Sequence, residues 1–150
     1  SLSSHAHSDD VFGFALCVHY GFRASGPQLF LWGPMMAKLF NQTKNLILCS
    51  KLETANSTWA RMKGLLGRKS MDADEALWIP SCNSIHTFFM NFPIDVAFVD
   101  KHLTVTKIIP NLRPGRLAFA TLHTRDVFEF PSGSLSDEKL AIGDRLHVDH

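Results

Sequence analysis

The sequence predicts an α+β domain of mainly antiparallel strands in a curled, barrel-like sheet, with one or two short helices. Three observations predict it. Short apolar runs recur from residue 45 to residue 148, separated by Gly, Pro, Asn and Asp. One stretch alone, residues 57–66, carries apolar side chains at helical spacing. The links between the later runs are too short for crossover helices, which favours antiparallel neighbours. With 150 residues there is room for one domain, and 45% hydrophobic content including 12 Phe can build a core without staples.

Residues 1–34 read as a weakly ordered extension, ahead of a domain at residues 35–150. The first ten residues are polar and carry no Lys or Arg, and an apolar run follows over residues 11–22, interrupted by Gly13, His19 and Gly21. That run falls short of the ~20 residues needed to span a bilayer. A secretory signal needs a positive region ahead of its apolar run, and none precedes this one. The expectation is a cytoplasmic protein without a transmembrane segment. Met35-Met36-Ala37-Lys38 offers a second beginning for the functional polypeptide.

Within the domain, a first strand is expected over residues 45–49. In the helical stretch, Trp59, Met62, Leu65 and Leu66 share one face, Ser57 suits the N-cap, and Gly67 with Arg68 and Lys69 suits the stop. An acidic turn at residues 72–75 leads to strand-like runs over residues 76–79, 84–90, 95–100, 103–109, 126–130 and 145–148. Asp100-Lys101-His102 between two of these runs suits a tight hairpin.

Charge narrows the choice of partners. Fifteen Lys and Arg against fourteen Asp and Glu leave +1, too little to draw the chain to a phosphate backbone, so no nucleic-acid partner is expected. Cys17, Cys49 and Cys82 form no C-x-x-C pair. One bridge is possible among them, free thiols are the default expectation, and no metal centre or cofactor is expected.

The densest chemistry lies in residues 81–95. Strand alternation from residue 84 places Ser84, His86, Phe88 and Met90 on one face and Ile85, Thr87 and Phe89 on the other. The first face reads as a mixed, partly polar concavity. Its candidate ligand-binding residues are Cys82, His86, Met90, Asp95 and Arg113. Paired with His86, Cys82 would be an activated nucleophile; with Met90 added, the donors suit a soft metal such as copper(I). Against both, same-face residues four apart on a strand lie ~13 Å apart. The structural alternatives are a His86 ring bonded to a carbonyl, Cys82 and Met90 packed as apolar groups, and an Asp95 that accepts backbone N–H bonds in its turn. Glu129, between Phe128 and Phe130, should lie on the wet face of a half-buried strand.

Gly64-Leu65-Leu66-Gly67-Arg68, Pro80-Ser81-Cys82, Ile85-His86-Thr87-Phe88-Phe89-Met90 and Phe92-Pro93-Ile94-Asp95 come in an order and spacing that resemble the DUF192 (UPF0127) family. Leu112-Arg113-Pro114, Glu129-Phe130-Pro131-Ser132-Gly133 and Ile142-Gly143-Asp144-Arg145-Leu146 extend the likeness, which spans residues 44–148. The resemblance implies a small domain of mainly antiparallel strands curled into a barrel-like sheet with one or two short helices, and it supplies no activity. Many relatives carry Trp-Met-Lys-Asn-Thr where this chain has Phe89-Met90-Asn91-Phe92, so a role for that Lys in holding an anion does not carry over.

The functional expectation is an uncharacterised domain that binds a small molecule or peptide segment in a concavity of the sheet. Two alternatives stand beside it: a thiol- or metal-dependent enzyme using Cys82 and His86, and an accessory protein that meets a partner through the apolar run at residues 11–22.

Overall fold

A computed structural model describes residues 37–57 and 65–150. The expected extension at residues 1–34 and the core of the expected helix, residues 58–64, lie outside them. The described residues form nine strands: β1 (Ala37–Asn41), β2 (Leu46–Thr54), β3 (Glu75–Ile79), β4 (Ser84–His86), β5 (Ile94–Asp100), β6 (Val105–Leu112), β7 (Leu117–Phe119), β8 (Thr124–Pro131) and β9 (Leu146–Asp149). No helix occurs among them, which corrects the α+β expectation: the fold is mainly β. The physical reason is the length of the links. Six of the eight links span only four to seven residues, too short for a helix that would repay its nucleation, and the expected helical stretch itself falls largely on residues 58–64, outside the described ones.

Seven strands form one sheet in the order β6-β5-β8-β3-β2-β1-β9, and β4 pairs with β7 as a separate two-stranded ribbon. All pairs are antiparallel except β2 with β3, where Lys51 to Thr54 run alongside Glu75 to Trp78. The large sheet curls until its two edges meet. Thr104 bridges Arg145, the Val105 amide donates to the Asp144 carbonyl at 2.8 Å, and the Leu146 amide donates to the Leu103 carbonyl at 2.9 Å. Gly143, at φ +92, makes the turn into this seam, a conformation that a side chain would strain.

β5 lies between β6 and β8 and is buried on both faces, as a doubly covered strand must be. Ala97 and Val99 point into the curl with Leu39, Leu52, Val105, Phe128 and Phe130, which fill it as side chains fill a small barrel. Ile94, Val96 and Phe98 point outward, where the β4–β7 ribbon and residues 65–71 cover them with Ile85, Ala118, Leu65 and Met71. A buried polar tie anchors β1 to the last turn: Asn41 Nδ2 donates to Asp144 Oδ2 at 2.7 Å and to the Lys139 carbonyl at 2.9 Å.

The expected Asp100-Lys101-His102 hairpin joins β5 and β6. Asp100 Oδ1 accepts from the His102 and Thr104 amides, which fixes the turn without a glycine while Leu103 takes φ +60. The expected strand over residues 84–90 stops at His86. β1 and β7 are additions to the predicted set.

Candidate functional site

Thr87 explains why β4 ends where it does. Its side chain is fully buried and its Oγ1 donates to the Arg113 carbonyl at 2.6 Å while accepting from the Arg116 amide at 3.0 Å. Its own amide donates to the Arg116 carbonyl, and its carbonyl accepts from the Gly115 and Met90 amides. One residue therefore folds the chain after β4 back on itself and staples the 113–116 turn beside it. The alternation expected through residue 90 breaks at this point.

The five sequence-predicted residues do not form one site: Cys82 and Met90 share the outer core, and the others lie apart from it. Cys82 is disulfide-bonded and 1% exposed, with its sulfur 3.0 Å from the Ser84 carbonyl oxygen. It presents no thiolate, which corrects the expectation of free thiols for this residue in favour of the one possible bridge; Cys49 is free and buried. Met90 is packed in the outer core with Ile85 and Ile94. Asp95 is wholly buried on the opposite sheet face, where Oδ1 accepts from the Asn111 amide at 2.8 Å and Oδ2 from the Leu135 amide at 2.9 Å. That is the turn-capping alternative for this carboxylate. Arg113 is exposed in its turn. His86 sits in β4 opposite Leu117, its ring 5.1 Å from that of Phe88, and burial lowers its pKa. Among the described residues no group of three or more His, Cys, Asp or Glu is placed to hold a metal ion.

What the structure does assemble is an apolar surface around the ribbon. Directly opposed residues of an antiparallel pair point to the same side. Ile85 and Ala118 face the core, so Leu117 and Phe119 lie on the other side of the ribbon, where their partners His86 and Ser84 in β4 are buried and only the β7 half is exposed. Leu117 is 57% exposed and Phe119 62%. Phe88, its ring 5.1 Å from that of His86, extends this surface, and Phe89 at φ +64 and Leu122 are also exposed, at 62% and 88%. A bulky residue held in the left-handed region costs about 1–2 kcal/mol, so the loop spends stability to hold an aromatic ring outward.

The surroundings of this surface are positive. Residues 81–93 and 112–125 contain no Asp or Glu and carry Arg113, Arg116 and Arg125, +3 within a chain of net +1. Lys107 reaches in from β6 to donate to the Phe119 carbonyl at 2.7 Å. Both signals, the acid-free segments and the unalternated Phe88-Phe89, are visible in the sequence once β7 is recognised as a strand.

A second functional group lies beneath the ribbon. Glu129 points away from the Phe128 and Phe130 rings as expected, but its face is covered and it is 6% exposed, between Leu77 of β3 and Val96 of β5. Burial among apolar groups raises its pKa to about 7. Nearby, Arg68 grips Glu75 with two short bonds of 2.5 and 2.6 Å, which holds that carboxyl below its ordinary range despite burial.

The comparisons with known proteins agree with one another. The model of the DUF192 family, described as Uncharacterized ACR, matches residues 39–148. The UPF0127 protein PH1112 of Pyrococcus horikoshii is 30% identical over 111 residues, covering 72% of this chain and 96% of that relative. A UPF0127 protein of Thermococcus sibiricus is 28% identical over 112 residues, 72% of each chain. Among crystal structures, a Novosphingobium aromaticivorans protein of unknown function superposes with a TM-score of 0.65 at 18% identity, over 85% of this chain and 99% of that one. A Sinorhizobium meliloti protein, provisionally described as a transcription regulator, gives 0.63 at 19% identity, over 75% of this chain and 91% of that one. At those identities the likeness is one of fold. The family match covers most of the chain, and the chain belongs to the DUF192 (UPF0127) family.

Proposed function

We propose that this domain is a binding module that takes a polypeptide segment, apolar and acidic in composition, against the exposed side of β7. The observation that carries the reading is the coincidence of Phe88, Phe89, Leu117 and Phe119 at the surface with two segments that hold three Arg and no acid. Exposed apolar side chains gathered in one place mark interaction surfaces, and the uncompensated charge selects anionic partners. A small molecule is the weaker fit. Sites for small molecules enclose most of the ligand, whereas side chains more than half exposed stand out from the surface. Catalysis through Cys82 and His86 has no support, because the sulfur is bonded and buried.

The test is fluorescence polarisation with a labelled octapeptide alternating valine and glutamate, against its valine–lysine twin. Binding of the first, at least tenfold tighter than the second and lost in the Leu117→Ser, Phe119→Ser double variant, is expected. Equal binding of the twins, or an unchanged double variant, overturns the proposal. So does binding of anionic phosphatidylserine vesicles with no binding of the peptide, which would make the surface a membrane contact.

A further inference from the structure

The hydrogen-bond phase of the ribbon fixes which way each main-chain group of β7 points. The Thr87 amide donates to the Arg116 carbonyl and the Ala120 amide to the Asn83 carbonyl, each at 2.8 Å, and the register pairs Ile85 with Ala118 between them. Bonded pairs in an antiparallel ladder recur every second residue. Arg116, Ala118 and Ala120 therefore turn their amides and carbonyls toward β4, and Leu117 and Phe119 turn theirs away. Among the described residues β4 is the one strand paired with β7, so that second side is an edge. The Phe119 carbonyl there is taken by Lys107 Nζ. The Leu117 amide and carbonyl and the Phe119 amide remain unpaired by any described strand, next to two apolar side chains more than half exposed.

Resting on the binding reading above, we infer that the partner segment adds to β7 as a strand, exchanging both main-chain bonds with Leu117 and receiving a third from the Phe119 amide. Edges of this kind are templates for extended peptide, with main-chain bonds giving affinity and alternate side chains giving specificity. Side chains of the added strand that fall on the Leu117 and Phe119 side lie over apolar surface. Acidic side chains toward the two ends meet Arg116 and Arg113 at one end and the Lys107 ammonium at the other. Charge also decides between a foreign segment and a second copy of this chain: β7 paired with its own image would bring two sets of Arg113 and Arg116 together, with no acid in either segment to offset them.

The experiment separates the mode from the binding. The valine–glutamate octapeptide is N-methylated at alternate amides in its two phases, on valines in one version and on glutamates in the other. Methylation removes donors and blocks pairing along one edge of the peptide and leaves the other edge intact. Strand addition predicts that one version loses at least tenfold in affinity while the other binds within threefold of the parent. If both methylated versions bind like the parent, the segment is held by side chains alone; strand addition is overturned and the binding surface stands. If the parent itself does not bind, the surface reading falls. A dimer in sedimentation velocity that the peptide dissociates would replace the foreign segment with a second copy and overturn the inferred occupant.

Discussion

The Thr87 hydroxyl donates to the Arg113 carbonyl at 2.6 Å, joining the end of β4 to the turn before β7. A methyl in its place leaves that carbonyl and the Arg116 amide without their partner. Thr87→Val should therefore cost about 1–3 kcal/mol in urea unfolding. Thr87→Ser, which keeps the oxygen, should recover most of it. A Val variant as stable as the parent would show that the staple contributes nothing.

Glu129 sets a pH dependence whose sign follows from burial. Below its ordinary pKa of 4.5 the carboxyl is protonated in both folded and unfolded chains. Between 4.5 and about 7 the unfolded chain has released the proton and the folded one retains it, so stability falls as pH rises through that window. At about 1.4 kcal/mol per pH unit the loss reaches about 3 kcal/mol at most. Glu129→Gln should remove this slope and leave the variant more stable than the parent at pH 8. Urea midpoints at pH 5, 6, 7 and 8 measure it; parallel profiles for the two proteins would refute the assignment.

Asp95 is expected to act as a structural cap. Asp95→Ala strands the Asn111 and Leu135 amides, both bonded to it now. The expected cost is about 2–4 kcal/mol. Asp95→Asn, with one acceptor oxygen retained, should lose less. Binding of the valine–glutamate peptide by the folded fraction should be unaffected, which a catalytic or ligand-contacting Asp95 would not allow.

The Arg68–Glu75 pair has the opposite pH signature to Glu129. Arg68 holds the Glu75 carboxyl below its usual range, so the pair contributes above pH 4.5 and its contribution fades as pH falls through the lowered folded value. Arg68→Met leaves a nearly buried carboxylate unpaired. The Arg side chain is 34% exposed, so solvent softens the loss to about 1–2 kcal/mol at pH 7. Acid unfolding of the variant should begin at higher pH than in the parent, as circular dichroism would show.

Much of the sheet was legible because strand chemistry is local. β3, β5, β8 and β9 were readable within a residue or two from apolar runs bounded by Pro, Gly and Asp, and the curl followed from short links. β7 was not. Leu117-Ala118-Phe119 is three residues long, and its exposed members are the apolar ones, the reverse of the usual pattern. The stop of β4 at His86 depends on bonds from Thr87 to residues 26 and 29 positions away, which no local pattern reveals. The expected set did not gather on one wall for separate reasons: Asp95 falls on the other face of β5 by strand alternation, and Cys82 is disulfide-bonded. Glu129 was placed on the correct side of its strand, and the error was to leave that side wet. The cover comes from the β4–β7 ribbon and residues 65–71, which are distant in sequence.

The Thr104–Arg145 bridge also orders events during synthesis. Strands β1 and β6 precede residues 143–146, which make the seam between the two margins of the sheet. A growing chain therefore carries two bare margins until residues 143–146 have emerged from the ribosome. Closure by contacts so remote in sequence is slow, and a nascent chain stalled before residue 143 would be a substrate for chaperones and a nucleus for aggregation.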